Sequence, residues 1–175
     1  MNERGYSMKR RKLVVILLVI ITLSSPFLFD YILKAKRNHF IKDTFGFNKK
    51  EFKVLKETDS HRGFHGDGDY VLILDCSENK EKALEYTKEW KILPLTENLQ
   101  LLMYGGEKED HFYNYNLADA SNIPEIKNGY YYFYDRHANS KDTKDDTNIF
   151  RGSFNFSLAL YDLDTDIMYL LEFDT

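Results

Sequence analysis

Residues 13–29 (LVVILLVIITLSSPFLF) follow directly on the basic cluster Lys9, Arg10, Arg11 and Lys12, and this junction constrains the chain more than any other feature. Thirteen of the seventeen residues are Leu, Val, Ile or Phe. On an insertion scale such a run is worth about −4 to −8 kcal/mol, which outweighs Thr22, Ser24, Ser25 and Pro26. Extended through Asp30, Tyr31, Ile32 and Leu33, a helix over 13–33 reaches roughly 31 Å at ~1.5 Å per residue, the thickness of a hydrocarbon core. The sequence therefore predicts a transmembrane helix (signal anchor) at 13–33. Five cations precede it (Arg4, Lys9, Arg10, Arg11, Lys12) and four come after it (Lys34, Lys36, Arg37, Lys42). The denser flank places residues 1–12 in the cytoplasm as a basic tail and everything after 33 outside the cell membrane. The lipid bilayer is then the first expected partner. A cleaved signal peptide fits less well, because Thr22–Pro26 is a poor small-residue cleavage pattern and the apolar run continues past it.

The remainder of the chain is long enough for one packed domain. Residues 34–50 read as a juxtamembrane helix or stalk ending near Gly46, and residues 51–175 as an extracytoplasmic α+β domain. An aromatic content of 15% argues for a real core, and a single cysteine excludes an intrachain disulfide. Residues 43–175 carry 15 Lys/Arg against 26 Asp/Glu, a net charge of −11. Such a surface disfavours nucleic acid and anionic lipid, and suits metal cations or basic partners.

Residues 51–58 alternate as an edge strand, and residues 70–76 (YVLILDC) form the unbroken apolar run of a central one. Ser77 caps a helix over 78–90 that puts Ala83, Leu84, Thr87 and Trp90 on one face. Thr96-Glu97 opens a brief helix through Met103, closed by Gly105-Gly106, with a strand as the competing reading. Residues 107–128 look irregular. Residues 129–135, 153–162 and 167–174 are strands, the last two joined as a hairpin by Leu163–Asp166. The expected fold is α+β: an antiparallel sheet of about five strands with one or two helices covering one face.

The segments at 61–70 (HRGFHGDGDY), 99–106 (LQLLMYGG), 129–137 (GYYYFYDRH) and the closing 153–175 resemble small membrane-anchored or exported proteins of Gram-positive bacteria. The resemblance covers most of 50–175. It implies that topology and no named activity.

The chemistry on offer is sparse. His61, His65 and Asp67, with Asp69 beside them, carry the donor types of a zinc-like shell, and a divalent metal is the one cofactor they suggest. Gly63, Gly66 and Gly68 instead suit a turn whose polar groups bond the backbone. Asp135 and His137, flanking Arg136, offer a carboxylate next to an imidazole for acid–base work, or else a solvated strand end. Asp162, Asp164 and Asp166 begin like a calcium loop, but Ile167 and Phe173 stand where its glycine and glutamate belong. Cys76 reads as a small buried thiol. The many tyrosines (104, 113, 115, 130, 131, 132, 134) offer stacking on sugars or peptides, or the two faces of one strand. No nucleophile-elbow, phosphate-loop, His-Glu-x-x-His or paired Cys-x-x-Cys motif occurs. The expected function is therefore a non-catalytic interaction or sensing domain. The alternatives are a metal-dependent enzyme using His61, His65 and Asp67, or an immunity or accessory factor for a neighbouring gene's product.

Overall fold

A computed structural model describes residues 3–61 and 66–175, without the side chains at 3–11, 15, 17, 18, 20, 26 and 30. Two compact units result, 1–42 and 43–175.

The described residues of the first unit lie within helix α1 (Glu3–Phe45). The expected transmembrane helix at 13–33 is corrected here, and the signal-anchor topology and cell-membrane localisation fall with it. Among the described residues, no helix is long and apolar enough to cross a membrane. Thr22, Ser24, Ser25 and Pro26 interrupt the apolar run in its second half. A span requires about 20 consecutive apolar residues. Along the helix Thr22, Ser24 and Ser25 turn their hydroxyls onto the carbonyls of Val19, Ile21 and Thr22. The helix also continues well past both ends of the run, through charged residues on either side.

The second unit is α+β, as its patterning indicates, but with six strands in the main sheet. β1 (Lys53–Asp59), β2 (Gly68–Asp75), β3 (Lys91–Ile92), β6 (Gly129–Asp135), β7 (Asn155–Asp162) and β8 (Ile167–Asp174) lie in the order β1-β2-β8-β7-β6-β3. All neighbours are antiparallel. The sixth strand is two-residue β3, too short to leave a periodic signal. β4 (Gly106–Lys108) and β5 (His111–Tyr113) form a separate ribbon. Its turn residues, Glu109 and Asp110, both take positive φ, the geometry of a two-residue hairpin turn. Without an Asn-Gly or Asp-Gly signal, that stretch reads as irregular.

Register assigns the faces. Val71, Tyr131, Phe133, Phe156, Leu158, Leu160, Tyr169 and Leu171 share one core with α3 (Glu97–Tyr104) and α4 (Leu117–Ser121). α3 forms because Thr96 accepts the Leu99 N–H at 3.3 Å and Gly105, at φ 74°, ends it. Helices on one face alone would leave the other polar, yet Leu72, Leu74, Ala159, Tyr161, Met168 and Leu170 are buried there too. Phe45 and Trp90 close on Tyr132 of that face, ring centroids 5.5 and 6.1 Å away. Helix 78–90 divides into α2 (Lys80–Tyr86) with a tight turn at each end. Both sheet faces are thus covered, and the polar atoms of the sheet concentrate at its ends.

Candidate functional site

One such end brings five strands together, β1, β2, β8, β7 and β6. β1 finishes at Asp59 and β2 begins at Gly68, where a Cβ would stand only 2.7 Å from the His61 backbone, so glycine permits the close return of the chain. Ser60 and Asp69 lock that return: Ser60 N–H donates to the Asp69 carbonyl at 2.8 Å, and Asp69 N–H to Ser60 Oγ at 2.8 Å. The geometry delivers His61 to the last residues of β8. Its Nδ1 faces Asp59 Oδ1 at 2.7 Å and its Nε2 faces Asp174 Oδ2 at 2.8 Å.

Arg136, just past β6, completes the network. Its Nε donates to Ser157 Oγ and its Nη2 to the Phe156 carbonyl, both at 2.9 Å. Nη2 also lies 2.9 Å from Asp174 Oδ1, an ion-pair contact without hydrogen-bond alignment. Asp174 is therefore shared between a histidine and an arginine that come from the two flanks of β8. The arrangement sets Arg136 and His61 against two carboxylates where β1, β8, β7 and the end of β6 come together.

This placement recasts the histidine loop. Of the expected metal ligands, His61 has both ring nitrogens facing carboxylates and Asp67 is exposed. His65 lies outside the described residues. Among the described residues, no group of three or more His, Cys, Asp or Glu side chains could hold a metal ion. The strand-end motif at 135–137 does reach the His61 region, but through Arg136 and Asp174. His137 turns into its own loop, where Nδ1 accepts the Asn139 N–H at 3.1 Å.

Asp135 is buried rather than solvated. It accepts the His137 N–H at 3.0 Å and pairs with Arg151. The next loop is held by its own acidic residues: Asp142 accepts the Lys144 N–H and Asp145 the Thr147 N–H, both at 2.9 Å. The hydrogen bonds from Thr147 hold the Asp145 carboxyl below the usual carboxylate range. Asp146, also buried, accepts from Thr96 and so ties this loop to the start of α3.

The remaining candidates also make contacts within the fold. Asp162 caps its hairpin turn, accepting from Asp164 N–H and Thr165 Oγ1, while Asp166 takes the Tyr161 hydroxyl at 2.9 Å and Lys80. The β6 tyrosines alternate between buried and half-buried, as two faces of one strand. Tyr113, Tyr115, Phe150 and Phe154 form an aromatic cluster, with Tyr113 and Phe150 centroids 4.5 Å apart.

Cys76 is fully buried, and its thiol is pushed up to about 12 by burial first, then by the charges of Asp75 and Asp166. A native chain is expected not to react with a maleimide at about pH 8, whereas urea-unfolded chain labels completely; fast native labelling would show an open site. The same shift fixes a sign. Between the ordinary thiol value of 9.0 and about 12, the unfolded chain loses this proton first, so Cys76 lowers stability as pH rises through that window.

Sequence reasoning passed over Asp59, Ser157 and Asp174. Their signal was register: alternation along β8 sends Glu172 and Asp174 to the face opposite Leu171 and Phe173, beside Asn155 and Ser157 of β7. No family model matches the chain, and neither a curated protein nor a solved structure similar to it was found.

Proposed function

We propose that residues 43–175 form a non-catalytic interaction or sensing domain. One observation carries this reading: most of the described side chains that the sequence offers for metal binding or acid–base work are engaged in holding strand ends and turns together. His61 sits between Asp59 and Asp174, Asp135 is paired with Arg151 and bonded to backbone, and Asp162 caps a turn. A general acid or base needs an open side from which to reach a substrate proton.

The test compares folding with biological function in the full-length chain. His61→Gln is expected to cost about 1–2 kcal/mol, the lower range for hydrogen bonds to charged groups because Asp59 is half-exposed. In a strain lacking the native copy, its phenotype should track the folded fraction measured by urea denaturation, and cooling or a second stabilising substitution should restore it. A His61→Gln protein as stable as the parent yet wholly inactive would overturn the reading.

A further inference from the structure

We draw no further inference here: the strongest candidate, the exposed Phe112 on the β4–β5 ribbon with the neighbouring aromatic cluster of Tyr113, Tyr115 and Phe150, carries nothing because no feature of the structure shows what covers it.

Discussion

Gly129→Ala is expected to destabilise residues 43–175 by about 3 kcal/mol or more, beyond the usual cost of overpacking a core. Gly129 opens β6 opposite Asp162, and a Cβ there would fall 1.9 Å from the Tyr161 carbonyl oxygen and 3.0 Å from its carbon. Side-chain rotation gives no relief, because the obstacle is backbone of a central strand. Moving Gly129 away instead strains the bonds on both sides of it, from Leu93 N–H to the Gly129 carbonyl at 3.1 Å and from Leu163 N–H to the Asn128 carbonyl at 3.0 Å. A domain has only about 5–15 kcal/mol in total, so much of the margin goes. Gly152→Ala is the matched control: nothing lies within 4 Å of its Cβ position, and the expected change is within about 0.5 kcal/mol. Urea midpoints of the two variants decide the matter. A Gly129→Ala midpoint equal to that of the parent would mean β6 does not run against β7 in this register.

Residue chemistry shows in the sequence where it is local and periodic. Thr96 and Gly105 announce the two ends of α3, and the aromatic alternation of 129–135 and 153–162 announces strands, because both signals repeat over neighbouring residues. Strand order is different in kind. β2 lies beside β8, about a hundred residues away, and that neighbourhood brings His61 to Asp174. Ser157 and Ala159 are small and weakly apolar, so their residue types give little sign that both are fully buried. The sequence of the histidine loop shows donor types without their partners, and among the described residues His61 faces Asp59 and Asp174. The apolar run at 13–29 shows the complementary problem: hydropathy alone indicates a span, yet Thr22, Ser24, Ser25 and Pro26 interrupt it, and among the described residues no helix is long and apolar enough to cross a membrane.

Asp135→Ala is expected to cost about 3 kcal/mol, the lower end for breaking a buried ion pair by removing one partner. The lower end applies because Asp135 is 4% exposed at its side chain while Arg151 remains 22% exposed, so water reaches the guanidinium left behind. Among the described residues Arg151 Nε is buried without a hydrogen-bond partner, which means part of its desolvation is uncompensated even in the intact pair. Removing the carboxylate also strands the His137 N–H, the first anchor of the loop over 137–148. Asp135→Asn keeps an acceptor for that N–H and should lose only about 1–2 kcal/mol. Arg151→Met alone leaves a buried carboxylate and should cost roughly as much as Asp135→Ala, about 3 kcal/mol. Combining Asp135→Ala with Arg151→Met removes both charges, and the double variant should be more stable than the sum of the singles implies, by about 1–3 kcal/mol. Urea denaturation of the four proteins closes the cycle. Strict additivity would show that Asp135 and Arg151 act independently, and that the loop hangs on some contact other than this pair.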